Sequence, residues 1–184
     1  MPKKILVLGS KGFIGSAVLS FLKERGHDVF GVTDDIRNKK KIKPHLWNVD
    51  FVVHAAGESK DQNNEKLCFE TNVIGTKNII EACIENKCKL IHLSSTARKL
   101  AYGRSKQLSQ QLVEDARGLR AVILRLCPIV TLDDPLMEWG RRYPLEDLVR
   151  DIEKIILTHD FKGRKVIDYK QFKKSQYEKS TNLH

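Results

Sequence analysis

Three groups of residues in this chain could do chemistry: the glycines Gly9, Gly12 and Gly15, the hydroxyl run Ser94-Ser95-Thr96, and the pair Tyr102 and Lys106. Tyr102 and Lys106 are four apart, so a helix places them on one face, one turn from each other. An ammonium beside a phenol favours the phenolate, lowering a pKa that starts at about 10 toward the range where tyrosine exchanges protons at neutral pH. A strand-end hydroxyl, Thr96 with Ser95 as its substitute, would hydrogen-bond the oxygen whose proton is moved. The glycines suit another task. Gly9 allows a tight turn, Gly12 lets backbone N–H groups approach a pyrophosphate, and Gly15 lets a new helix pack close to a sheet. Ser10, Lys11, Phe13 and Ile14 complete that turn, and the helix N-terminus presents its orphan donors and positive dipole end to phosphate.

These residues need elements to hold them. Ile5 to Leu8 is an unbroken apolar run, as in a strand covered on both faces, and it leads directly into the glycines. The spacing Gly-x-x-Gly-x-x-Gly differs from the commonest dinucleotide fingerprint, so the order strand, glycines, amphipathic helix carries the phosphate-site reading. Phe13 to Arg25 reads as that helix, ended by Gly26, and Asp28 to Thr33 as the second strand. Asp34, Asp35 and Arg37 follow it, where an acidic residue would take the adenosine ribose hydroxyls or an arginine a 2′-phosphate. NAD and NADP both stay open; the two carboxylates favour NAD.

The link from Ile36 to Asn48 contains Pro44 and is too short for a crossover helix plus a further strand, so the edge strand beyond the second is expected to be missing or vestigial. Asp50 to His54 reads as the third strand. His54-Ala55-Ala56-Gly57 ends it with small residues against which a ring or ribose could lie, although His54 also fits a satisfied strand-end histidine. Asn64 to Asn86 reads as a long helix, Lys89 to Leu93 as a strand running into Ser94, Leu100 to Arg117 as a helix, and Leu119 to Leu126 as a buried strand. Pro144 should open a helix over Leu145 to Leu157, with a last short strand at Lys165 to Ile167. The alternation predicts an α/β fold: a Rossmann-like, doubly wound parallel sheet.

Composition bounds the rest. A chain of 184 residues suits one domain, and no apolar run approaches membrane-spanning length. A cytoplasmic location is the default expectation. Four cysteines without a Cys-x-x-Cys pair, and six histidines without ligand spacing, predict reduced thiols and no structural metal. The net charge of +10 comes from dispersed lysines, one cluster at residues 39–43 and a basic end, which reads as a solvated surface that attracts nucleotide phosphates and not as dedicated nucleic-acid binding.

Four segments together resemble the extended short-chain dehydrogenase/reductases, the NAD-dependent epimerase/dehydratase group acting mainly on nucleotide sugars. They are Gly9 to Gly15, Asp50 to Gly57, Thr71-Asn72 to Asn78, and Leu93 to Thr96 followed by Ala101-Tyr102-Gly-Arg-Ser-Lys106. The resemblance implies NAD(P) and a small-molecule substrate, with Tyr102 as acid/base, Lys106 also holding the nicotinamide ribose, and Asn72, Ser94 and Cys127 near the cofactor. Asn72 could equally be a buried polar residue kinking its helix, and Cys127 reads as packing. Arg141 and Arg142 suit either a substrate phosphate or a solvated helix start. The domain would span residues 1–169, with a flexible basic tail at 170–184 and a homodimer formed through helices 64–86 and 100–117. Two departures stand out: Thr96 and Tyr102 are only six apart, and the segment Val130 to Gly140 leaves little of the usual substrate domain. The rival reading is a cofactor-binding or scaffold protein that has kept the fold and lost catalysis.

Overall fold

A computed structural model of the chain describes residues 3–134, 142–158, 161 and 163–169. The expected tail at 170–184, Arg141 and most of the segment before it lie outside the described residues. Five strands come in the order expected: β1 (Lys4–Leu8), β2 (Asp28–Val32), β3 (Phe51–His54), β4 (Lys89–Ser95) and β5 (Arg120–Leu126). They share one parallel sheet with β8 (Arg164–Tyr169), in the spatial order β2-β1-β3-β4-β5-β8. Two further short strands, β6 (Ile129–Val130) and β7 (Tyr143–Pro144), form a separate parallel ladder.

Strand alternation divides the core into two layers. Ile5 and Val7 of β1 face α1 (Phe13–Glu24) and α6 (Leu145–Thr158), joining Val18, Leu22, Leu148 and Ile152. Leu6 and Leu8 face the other side, with Ile79 and Cys83 of α4 (Gly75–Asn86) and Val113 of α5 (Leu100–Asp115). Burial on both faces is why the strands read as continuous apolar runs.

Strand β2 is an edge, as the short link foretold. Between β2 and β3 the chain makes α2 (Lys39–Ile42) and a 3-10 turn over Lys43–Leu46, whose Ile42 and Leu46 plug the core beneath β1 and β3. The long helix expected from Asn64 is one helical path in three parts: α3 (Glu65–Cys68), a π-helical segment (Phe69–Ile74) and α4. Asn64 caps it by accepting from the Leu67 amide at 3.0 Å. The helix after Pro144 starts at Leu145 as expected, with Pro144 itself pairing with Val130 in the small ladder. One expectation shifts. The last strand is longer than the sequence suggested, because parallel pairing with β5 carries it from Arg164 to Tyr169.

One buried pair is unusual. His54 and His92 are registered neighbours on β3 and β4, with ring centroids 5.1 Å apart. His54 Nε2 meets Thr76 Oγ1 at 3.0 Å, whereas His54 Nδ1 and both ring nitrogens of His92 are buried without a hydrogen-bond partner among the described residues. Burial, aided by the Lys106 charge, pushes His54 down to about 3 and His92 well below its usual range. Both rings therefore stay neutral in the folded chain while the unfolded chain protonates them below about pH 6.5. Stability should fall as pH drops from there, with a slope of up to about 1.4 kcal/mol per pH unit for each ring. Denaturant midpoints measured from about pH 7 to pH 5 check this: a flat profile would contradict it, and His92→Leu should remove part of the slope.

Candidate active site

The glycine turn is built by close backbone approach. Gly9 has φ +78°, and a Cβ there would lie 2.6 Å from the backbone N and Cα of Ala56. A Cβ on Gly15 would lie 2.2 Å from the Gly9 carbonyl oxygen, so the start of α1 rests directly on the end of β1. Gly12 N donates to that carbonyl at 2.9 Å, and a Cβ on Gly12 would meet only the same oxygen, at 3.3 Å. Gly9 and Gly15 thus close the turn, while Gly12 keeps the helix N-terminus approachable. Ser10 is buried beside Gly31, and Lys11 is exposed.

Beyond the turn, a cleft of about 520 Å³ opens at the C-terminal ends of β1, β3, β4 and β5, where ligands bind in open α/β sheets. Phe13 and Ile14 form one wall, Ala55 to Ser59 a second, and Ser94 to Ala97 with Tyr102 and Lys106 a third; Leu126 and Cys127 close the floor. The structure thereby brings together most of the residues singled out in the sequence. His54 is not among them, since its imidazole lies on Thr76 in the α4 layer. Cys127 is 4% exposed, its burial pushes the thiol pKa up, and its amide donates to Tyr169 O, which fits packing.

Asn72 is a buried brace. Its Oδ1 accepts from the Glu58 amide at 2.8 Å, and its Nδ2 donates to the Glu58 carbonyl at 3.0 Å and to Ser105 Oγ at 2.9 Å. Ser105 Oγ in turn donates to the Tyr102 carbonyl at 2.8 Å. One side chain in the π segment thus ties the loop after β3 to the helix that carries Tyr102. Gly57 leaves this amide room, because a Cβ there would lie 2.8 Å from Asn72 Oδ1. The Tyr102 amide adds a second tie, donating to the Gln62 carbonyl at 3.0 Å. Sequence reasoning did not find Ser105, Gln62 or Glu58 as site residues; Ser105 stood inside the quoted Tyr-to-Lys segment, but the two loop residues carried no signal.

The short link from Thr96 to Tyr102 is taut, as its length implies. Leu100 adopts φ +60°, and a Cβ on Gly103 would lie 2.9 Å from the Arg98 carbonyl carbon, so the link packs against the first turn of α5. Ser95 lines the cleft beside Tyr102, and Ser95 Oγ accepts from the Ala97 amide at 3.1 Å. Thr96 borders the cleft while its amide donates to Leu126 O at 2.8 Å. Ser94 Oγ is directed away, donating to Gln110 Oε1 at 2.8 Å.

Spacing alone suggested that Lys106 lowers the phenol, and the geometry corrects this. Lys106 Nζ donates to the Leu93 carbonyl at 2.6 Å, and burial brings its own pKa down to about 8. Burial raises the Tyr102 pKa, with the Ser95 hydrogen bond opposing.

At the β2 end, Asp34 Oδ2 lies 2.9 Å from His45 Nε2. Asp35 takes Arg37 in a forked pair, Nε at 2.9 Å and Nη2 at 2.7 Å, and that bond holds the Asp35 carboxyl below its usual range. Asn78 Nδ2 donates to the carbonyls of Ile36 and Arg37, 3.0 Å each, which anchors the segment. These residues flank the glycine turn and lie outside the cleft. Among the described residues no group of three or more His, Cys, Asp or Glu could hold a metal, and no helix is long and apolar enough to cross a membrane.

The family model for the NAD dependent epimerase/dehydratase family matches residues 5–134. Sterol-4-alpha-carboxylate 3-dehydrogenase, decarboxylating, of Mus musculus is 33% identical over 109 residues, which is 52% of this chain and 30% of that protein. GDP-6-deoxy-D-talose 4-dehydrogenase of Aggregatibacter actinomycetemcomitans is 35% identical over 119 residues, 59% of this chain and 40% of that one. The chain thus spans well under half the length of these curated relatives. The Bordetella bronchiseptica enzyme WbmH in complex with NAD+ has the same fold, with a TM-score of 0.77 at 19% identity over 91% of this chain and 75% of that one.

The glycines should separate in a stability measurement. Gly15→Ala forces backbone apart and should cost about 1–3 kcal/mol, whereas Gly12→Ala should stay within about 1 kcal/mol of the parent. Equilibrium denaturation of the two variants checks the difference, and equal losses would refute the assigned roles.

Proposed function

Since the chain belongs to the NAD dependent epimerase/dehydratase family, we propose that it is an NAD(P)-dependent oxidoreductase acting on a nucleotide sugar, as an epimerase, dehydratase or keto-reductase. The observation that carries this reading is one cleft holding the start of α1, Ser95, Tyr102 and Lys106 together. A dinucleotide fits the chain's own backbone: Gly9 and Gly15 bring strand, helix and the Ala56 backbone so close that no Cβ is tolerated, and the helix N-terminus faces the opening. When bound, the nicotinamide supplies the carbon that accepts or returns hydride.

In this reading the glycine turn and the N-terminus of α1 bind the pyrophosphate, with Asp34 and Asp35 placed for the adenosine ribose. NAD is favoured over NADP because the Arg37 guanidinium is already engaged by Asp35 and lies 3.4 Å from Glu70. Ser95, with Thr96 beside it, orients the substrate oxygen. Tyr102 takes the proton from the substrate hydroxyl during oxidation and returns it in reduction. Lys106, held by the Leu93 carbonyl, keeps positive charge at the floor of the cleft and is placed to hold the nicotinamide ribose. Ser94 and Cys127 shape that floor, and His54 and Asn72 act from behind it.

Tyr102→Phe should leave dinucleotide affinity unchanged and lower turnover by about 10²–10⁴-fold. Calorimetric binding and hydride transfer measured on a panel of nucleotide sugars check this, and retained turnover would remove Tyr102 as the acid/base. If the parent protein binds dinucleotide tightly and transfers no hydride, the cofactor-binding reading replaces the enzyme.

We further propose a homodimer through α3, the π segment, α4 and α5. Phe69 and Leu108 are 46% and 50% exposed, and with Ala101 they line a groove of about 420 Å³ between α3 and α5. Glu65 and Arg104 pair at 2.6 Å along it, a mixture of apolar centre and polar rim that a second copy could match by a two-fold axis. Leu108→Glu should convert a dimer into a monomer in light scattering at micromolar concentration; a monomeric parent would exclude the interface. The cytoplasm is the proposed setting, supported by four free cysteines.

A further inference from the structure

Away from the cleft, two cysteines lie at the opposite, N-terminal end of the sheet strands. Cys83 lies near the end of α4, and Cys88 immediately precedes β4. The helix ends at Lys87 in the left-handed conformation, φ 58°, and the Cys88 amide turns back to donate to the Cys83 carbonyl at 3.0 Å. This cap sets residues five apart in sequence side by side. Both side chains belong to the same buried cluster, and Cys88 Sγ donates to the Leu46 carbonyl at 3.6 Å. Backbones joined by such a bond lie close enough for side-chain rotation to bring the two sulfurs to bonding distance. Both cysteines are free, and they are 0% and 2% exposed. The remaining thiols sit elsewhere: Cys68 Sγ donates to the Asp61 carbonyl, and Cys127 borders the cleft.

We propose that Cys83 and Cys88 form a dithiol modification site, closed to an intramolecular disulfide by a peroxide and reopened by a thiol reductant. Cys88 reacts first. The neighbouring Cys83 thiol favours the Cys88 thiolate, while Cys88 and full burial keep Cys83 protonated. The Cys88 sulfur attacks a peroxide oxygen: an S–O bond forms, the O–O bond breaks, and the departing oxygen leaves as water. Cys83 sulfur then attacks the sulfenic sulfur; the S–S bond forms, the S–O bond breaks, and a second water carries away the Cys83 proton. Two electrons pass from the thiols to the peroxide, and the reductant returns them.

Access comes at the helix end. A crevice of about 290 Å³, lined by Trp47, Asn48, Glu85, Asn86 and Lys87, opens directly beside this turn. Helix termini also open at lower free-energy cost than core strands, so a small oxidant can reach the pair without global unfolding.

The test uses the full chain under native conditions. It is treated with hydrogen peroxide at exposures that leave its circular dichroism unchanged, then alkylated in denaturant and weighed intact. Alkylation at Cys83 and Cys88 should fall about tenfold, with a mass loss of two hydrogens and a peptide map joining these two positions. Dithiothreitol should restore alkylation of all four cysteines. The variant carrying both Cys68→Ser and Cys127→Ser should respond like the parent, and Cys88→Ser should lose the product. Peroxide that leaves every thiol alkylatable would overturn the proposal. So would reaction that stops at an acid of Cys88, or a disulfide that involves Cys68 or Cys127.

Discussion

The close approach of three backbones around Gly9 is the constraint on which the rest depends. The end of β1, the start of α1 and the segment after β3 meet where the missing side chains of Gly9 and Gly15 leave only enough room for main chain. That contact sets where the positive end of α1 points relative to the C-terminal edge of the sheet. It also seats Ala56 against the turn, which starts the loop that forms one wall of the cleft. Helix direction, cleft width and the position of the wall are therefore not independent.

The second organiser is Asn72. A π segment displaces the normal helical ladder and leaves a buried amide that satisfies both backbone groups of Glu58 and reaches Ser105. Through Ser105 it holds the carbonyl of Tyr102, so the loop after β3 and the helix bearing Tyr102 are tied to each other. An amide left half-satisfied in this position would cost about 1–3 kcal/mol, which binds the placement of the tyrosine to the integrity of the fold. The shortened link before α5 tightens the same unit from the other side, by packing Arg98 over Gly103.

Electrostatics in the cleft follow from burial more than from pairing. Lys106, bonded to a backbone carbonyl and removed from water, has its pKa brought down to about 8. The phenol of Tyr102 rises for the same reason, and the serine beside it pulls the other way. At the β2 edge the opposite regime holds, where the charges of Asp35 and Arg37 are exposed and answer to each other. A buried polar floor and an open charged rim suit a ligand with a reactive end and a phosphate-rich, solvated end.

Local rules in the sequence were enough to set the order of elements, the edge position of β2 among the described residues, the glycine turn and the spacing of Tyr102 and Lys106. Apolar runs, φ > 0 at a turn, and the period of a helix depend on near neighbours along the chain. Tertiary structure decided which groups meet. It directed His54 away from the cleft onto Thr76, turned Ser94 Oγ onto Gln110, made Asn72 a brace, and joined the backbones of Cys83 and Cys88. Each of these outcomes depends on strand register, on the π displacement or on a helix cap, and therefore on which face of a packed element a side chain leaves. Residue types and spacing could name the candidates, but the sides they face were set by packing between elements distant in sequence.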